Sequence, residues 1–143
     1  MGHLMRRNIL AYKAPPNNEG YDLICMHPNP KRAHEVLRIQ VKSRYQTDCD
    51  RAFPIKEKTF EAFDYLVIAF LNIGYFYGGE PGPIGRQSPE FYTLPNSFIR
   101  KHHTKVASGF DKVRTSNLNI LRYKDEVGFE LIAKDLGVPY PQR

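Results

Sequence analysis

Along residues 36 to 43, apolar and polar positions alternate: Leu37, Ile39 and Val41 fall on one side of an extended chain, Val36, Arg38, Gln40 and Lys42 on the other. The pattern predicts a strand over Val36–Ser43. Two shorter segments precede it, Asn8–Lys13 (NILAYK) and Tyr21–His27 (YDLICMH). Pro15, Pro16, Asn17 and Asn18 form the turn between those two. The intervening PNPKRAHE carries two prolines, which cannot donate to a ladder, so it reads as a loop and the three strands as a meander.

Downstream the pattern changes period. Phe60 and Phe63 stand at helical spacing in Lys56–Phe63, which predicts a short helix. Asp64–Asn72 (DYLVIAFLN) is almost wholly apolar and fits a central strand covered on both faces, with strand character continuing through Tyr77. The Gly/Pro-rich stretch from 78 to 89 is a connection, Phe91–Leu94 a further strand, and Pro95 opens a helix over Asn96–His103. Residues 104 to 119 show no decisive period. Phe129, Ile132, Ala133 and Leu136 then share one helical face in Lys124–Leu136, with Gly137 as its C-cap and Pro139 beyond. The order, β-β-β-α-β-β-α-α, is that of an α/β fold: a mixed sheet flanked by helices, without Rossmann alternation. A single domain is expected over 1–143, with its core at about 8–103 and a C-terminal helical extension at about 104–143.

Composition narrows the function classes. Of the 143 residues, 41% are hydrophobic and 13% aromatic, which fits a folded domain and excludes a disordered chain. The net charge of +6 suits a nucleic-acid partner, through release of counterions from phosphates, but equally a protein with a merely basic surface. Cys25 in an apolar run and Cys49 between aspartates form neither a disulfide framework nor a zinc site. The longest apolar run, Tyr65–Leu71, is too short to span a bilayer, and the N-terminus lacks the apolar core of a signal peptide, so no membrane association and a cytoplasmic location are expected. The start itself is abrupt, as in a truncation or a short vector-derived leader.

The polar face of the third strand carries the candidate chemistry. If the second and third strands pair about a loop centred near residue 31, Asp22 lies across from Gln40 with Cβ atoms about 5 Å apart, and Lys42 is the next residue on that face. A carboxylate, a side-chain amide oxygen and the Val41 carbonyl are hard oxygen donors suited to Mg²⁺ or Mn²⁺. Such a metal neutralises charge on a phosphoryl oxygen and acidifies its bound water, which Lys42 could hold or deprotonate. Phosphodiester hydrolysis is the reaction this set could serve.

Asp22 followed by Gln40-Val41-Lys42 resembles the PD-(D/E)XK nuclease superfamily, whose signature is an aspartate on one strand and Glu/Gln-X-Lys on the next. Glu19-Gly20-Tyr21-Asp22-Leu23-Ile24 stands where family members often carry a turn and then the aspartate, and Gln40 occupies a position where Glu is commoner. The match covers about residues 8 to 103. It implies a restriction-endonuclease-like core and a metal-dependent endonuclease acting on DNA, with metal at Asp22, Gln40 and the Val41 carbonyl and catalysis by Asp22, Gln40 and Lys42. Family members usually begin with a helix beside the sheet, whereas this chain starts almost at its first strand. Double-strand cleavage by a single-site domain implies a homodimer.

Other readings stay open. Asp22, Gln40 and Lys42 could form a polar sheet face with an ion pair, in a catalytically inactive module that binds nucleic acid or a protein partner. An interaction protein unrelated to nucleic acid is a third class. Arg44, Arg100, Lys101 and Lys105 are candidates for backbone phosphate, against plain solvation or favourable charge at a helix end. His102 and His103 project about 100° apart on a helix and chelate poorly. Tyr12, Tyr21, Tyr45 and Tyr75 read as packing rather than as base-stacking platforms.

Overall fold

The computed structural model describes residues 1–45, 50–73, 87–107 and 111–141. A four-residue helix α1 (Gly2–Met5) leads into β1 (Leu10–Lys13), β2 (Leu23–Met26) and β3 (Val36–Arg44). Then follow β4 (Ala52–Pro54), a 3₁₀ helix (Glu57–Ala62), β5 (Tyr65–Phe70) and β6 (Glu90–Pro95). The chain continues through α2 (Asn96–His102), β7 (His103–Thr104), β8 (Lys112–Arg114), a 3₁₀ turn (Leu121–Tyr123) and α3 (Asp125–Asp135).

Among the described residues, five strands form one mixed sheet in the order β1-β2-β3-β5-β6. The first three are the expected antiparallel meander. β3 then pairs parallel with β5, and β5 antiparallel with β6. Sequence and structure thus agree on an α/β fold with a mixed sheet and flanking helices. Leu23 pairs with Ile39, the register expected from a loop centred near residue 31.

Two apolar layers sandwich this sheet. On one face Ile39, Tyr65 and Val67 pack with Phe129, Ile132 and Ala133 of α3, with Leu136 at its C-cap, and with Leu4 of α1. The other face carries Leu66, Ile68, Phe70 and Leu94, covered by Phe53, Ile55, Phe60, Phe63, Phe98 and Val113. α3 ends as the sequence indicates. Gly137 takes φ +64°, its N–H donates to the Lys134 carbonyl (3.0 Å) and the Val138 N–H to the Ala133 carbonyl (2.8 Å). These two bonds make a Schellman cap, which glycine accommodates without strain.

Several expectations change. Lys56–Phe63 is a 3₁₀ helix over Glu57–Ala62, tighter than an α-helix. The segment from 104 onward is not a helical extension throughout: β7 and β8 join β4 in a second antiparallel sheet, β4-β8-β7. Nor does α3 lie outside the core, since its apolar face closes one side of the main sheet. Strands of two or three residues cannot display a period, which is why they left no pattern. Most of the 78–89 connection, Tyr75, Tyr77 and Cys49 lie outside the described residues. Among the described residues no helix is long and apolar enough to cross a membrane.

Candidate active site

The polar column of β3 runs Arg38, Gln40, Lys42, Arg44, and in the parallel ladder its last three members lie beside Leu66, Ile68 and Phe70 of β5. A row of polar residues therefore borders a buried apolar layer, where each polar group needs a partner. The two ends have theirs. Arg38 forks onto Asp64, with Nη2 to Oδ1 at 3.2 Å and Nε to Oδ2 at 3.3 Å, and donates to the Glu61 carbonyl. Arg44 donates to the carbonyls of Asp50, Ser43 and Ala52 and stacks over the Phe53 ring at 4.7 Å.

The two middle residues do not. The Gln40 Oε1 is buried without a hydrogen-bond partner, and Lys42, half-buried, makes no ion pair among the described residues. Both line a cavity of about 310 Å³ walled by Glu19, Gly20, Ile55, Lys56 and Lys58. A buried acceptor left unpaired costs about 1–3 kcal/mol; His27 Nε2, Arg51 Nε and Thr93 Oγ1 are also buried without partners, and Gln40 differs in sharing a cavity with Lys42.

Asp22 reaches this place through the turn before β2. Gly20 has φ +104°, and a Cβ there would collide with the Ala62 Cβ, so only glycine lets the turn lie against the 3₁₀ helix. The Asp22 N–H donates to the Ile39 carbonyl at 2.8 Å, and its Oδ2 accepts from the Val41 N–H at 2.6 Å. The carboxylate thus continues the ladder where the β2 backbone leaves it. Because the N–H and C=O of one strand residue point to the same side, the Val41 carbonyl faces the same gap. Asp22 itself lines the adjoining groove, with Lys13 to Asn18 and Tyr21, so the turn at 18–22 walls both spaces.

The structure therefore brings Asp22 to Val41 directly and sets Gln40 and Lys42 on a shared cavity beside them. A carboxylate, a side-chain amide oxygen and a strand carbonyl are donor types that a hard divalent cation takes, although Asp22 lines one space and Gln40 with Lys42 the adjoining one. Among the described residues no three His, Cys, Asp or Glu side chains gather as a metal cluster. Asp22 is the one acid of the set.

The remaining candidates lie elsewhere. Arg100 pairs with Glu61 at 2.7 Å and covers the Phe60 ring, and Lys105 pairs with Glu57 at 2.8 Å. The Lys105 ammonium, by hydrogen bond and by charge, holds the Glu57 carboxyl below its ordinary pKa. Lys101 is exposed on α2. His102 packs on Phe98 while the His103 Nε2 meets the Ile55 carbonyl at 2.9 Å, so the two rings diverge. Tyr12 and Tyr45 are exposed rather than packed in the core. Sequence reasoning missed Lys56 and Lys58. Their one signal was the KEK triplet just before the 3₁₀ helix, which periodicity alone assigns to a solvated face.

No family model matches the chain, and no curated protein matches it. Among solved structures it is similar to a bacterial homing endonuclease, I-Ssp6803I, at 16% identity and a TM-score of 0.49, over 95% of this chain and 84% of that one.

Proposed function

We propose that the protein is a divalent-metal-dependent nuclease that hydrolyses phosphodiester bonds in DNA. The observation that carries this reading is the buried, orphaned Oε1 of Gln40, a residue that lines one cavity with Lys42 and adjoins the Val41 main chain where Asp22 bonds. Asp22, Gln40 and the Val41 carbonyl would hold Mg²⁺ or Mn²⁺. Bound there, the ion would neutralise a phosphoryl oxygen and acidify water. Lys42 orients the attacking water and stabilises the negative charge that develops on the phosphorus oxygens. The Val41 N–H fixes the Asp22 carboxylate, leaving Oδ1 without a hydrogen bond among the described residues. The apolar residues Ile55 and Leu66 border Gln40 and Lys42. A homodimer would place two such sites on the two strands of a duplex.

One observation favours a second reading, a catalytically inactive module that binds nucleic acid or a protein partner: Asp22 is the lone acid of the donor set. Calorimetric titration of Mn²⁺ separates the two. The nuclease reading expects binding by the wild type that Asp22→Ala abolishes. It also expects Lys42→Ala to retain metal while metal-dependent plasmid nicking falls about 10²- to 10⁴-fold. Wild-type protein that binds no divalent ion, with or without a DNA duplex, would sink it.

A further inference from the structure

The Gln40 cavity has a cationic rim that the candidate catalytic set does not use. Lys56 and Lys58, at the entry and first turn of the 3₁₀ helix, line it together with Lys42 of β3. Lys56 has no acidic partner among the described residues. Lys58 has one, Glu19, at 3.2 Å across the mouth, with both side chains largely exposed. An ion pair this exposed is worth about 1 kcal/mol at most and is readily exchanged.

The end of α2 is also basic. There Arg100 and Lys105 are paired with Glu61 and Glu57 in ion pairs about as exposed as Lys58–Glu19, and Lys101 is unpaired among the described residues. What sets the cavity apart is that three cations, Lys42, Lys56 and Lys58, line one concave space.

We propose that Lys56 and Lys58 form a backbone-phosphate cradle for duplex DNA, gripping phosphates beside the one presented to Lys42, and that Glu19 holds Lys58 in place until the phosphate displaces it. The cradle rests on the nuclease reading for its orientation, but not for its chemistry. Any phosphodiester chain entering the cavity meets the ammonium groups of Lys56 and Lys58 beside that of Lys42. Charge matching of this kind positions the duplex without reading its sequence.

The test is fluorescence anisotropy of a labelled DNA duplex in EDTA, over a range of KCl concentrations. The Lys56→Ala/Lys58→Ala double variant should bind at least tenfold more weakly at low salt. Its slope of log affinity against log salt should be shallower by about 2, one for each lost phosphate contact. Glu19→Gln should tighten binding by about twofold to fivefold, because it removes the anion that competes with the phosphate. That gain cannot arise from misfolding. Three results would overturn the cradle: a double variant with wild-type slope, a weakened Glu19→Gln, or a loss carried by Lys101→Ala instead. Failure of the wild type to bind duplex would overturn it as well. These outcomes are distinct from those of the nuclease reading. Wild-type protein that grips DNA through Lys56 and Lys58 yet never cleaves it keeps the cradle and loses the enzyme.

Discussion

The two faces of β3 are built from the same nine residues, yet one is closed and the other is not. Toward α3, Ile39 and its neighbours Leu37 and Val41 meet Tyr65, Val67, Phe129 and Ile132 in an apolar layer, interrupted by Ser43 at the end of β3 and by the buried Thr93 hydroxyl of β6. Toward the second sheet, β5 and β6 supply an equally apolar surface, but β3 presents Arg38, Gln40, Lys42 and Arg44. At its ends that column is satisfied by Asp64 and by main-chain carbonyls; in the middle it is not. A protein selected only for stability would gain by making both faces alike. The difference shows where stability has been given up, and such places are candidates for binding and catalysis.

The closed face should be the costlier to disturb. Phe129 is 2% exposed and packs against Phe91 at 5.5 Å, with the Arg7 guanidinium 4.5 Å above its ring. Phe129→Ala should lower unfolding free energy by about 3–5 kcal/mol, read from urea denaturation, through lost burial and the cavity left behind. The folded fraction should still bind Mn²⁺ with wild-type affinity. Metal binding that collapses with the core would mean the two faces are not separable.

The open face should respond in the opposite direction. Gln40→Met keeps the shape of the side chain and removes the orphaned acceptor, so unfolding free energy in EDTA should rise by about 1 kcal/mol while Mn²⁺ binding is lost. Gain of stability with loss of function is the signature of a group retained for a ligand. A destabilised Gln40→Met would instead mean that Oε1 is paired in solution, and the contrast between the faces would fall with it.

Much of this contrast was legible in the chain. Period-two alternation in β3 and the unbroken apolar run of β5 placed both strands, and the loop centred near residue 31 gave the register between β2 and β3. Asp22, Gln40 and Lys42 were legible as polar groups on one side of a strand pair. What could not be read was which of the β3 polar residues is satisfied. Arg38 and Arg44 look like Gln40 and Lys42 in the sequence, and their partners Asp64, Asp50 and Ala52 are set by tertiary contact. The cover over the cavity was also hidden. β4 and β8 are three residues long, and the 3₁₀ helix offers two phenylalanines that fit an α-helix equally well.

The smallest effect should come from the far edge of the same face, where a charge is satisfied. Glu90 on β6 is paired with Lys124 at 2.9 Å and accepts from the Tyr92 hydroxyl at 3.0 Å. Burial pushes its carboxyl pKa upward, but the hydrogen bonds from Lys124 and Tyr92 and the Lys124 charge outweigh it, leaving the pKa below the ordinary 4.5. A carboxyl with a depressed folded-state pKa stabilises the fold above its unfolded value, and that stability is lost as pH falls through the folded value. Glu90→Gln should therefore cost about 1 kcal/mol or less near pH 7, and the gap to wild type should close as pH falls below 4.5. Urea midpoints measured from pH 7 to pH 3 test this. A gap that persists at pH 3 would mean Glu90 acts through packing rather than charge. The edge of the open face would then be held, like the closed face, by shape, and only Gln40 and Lys42 would set it apart.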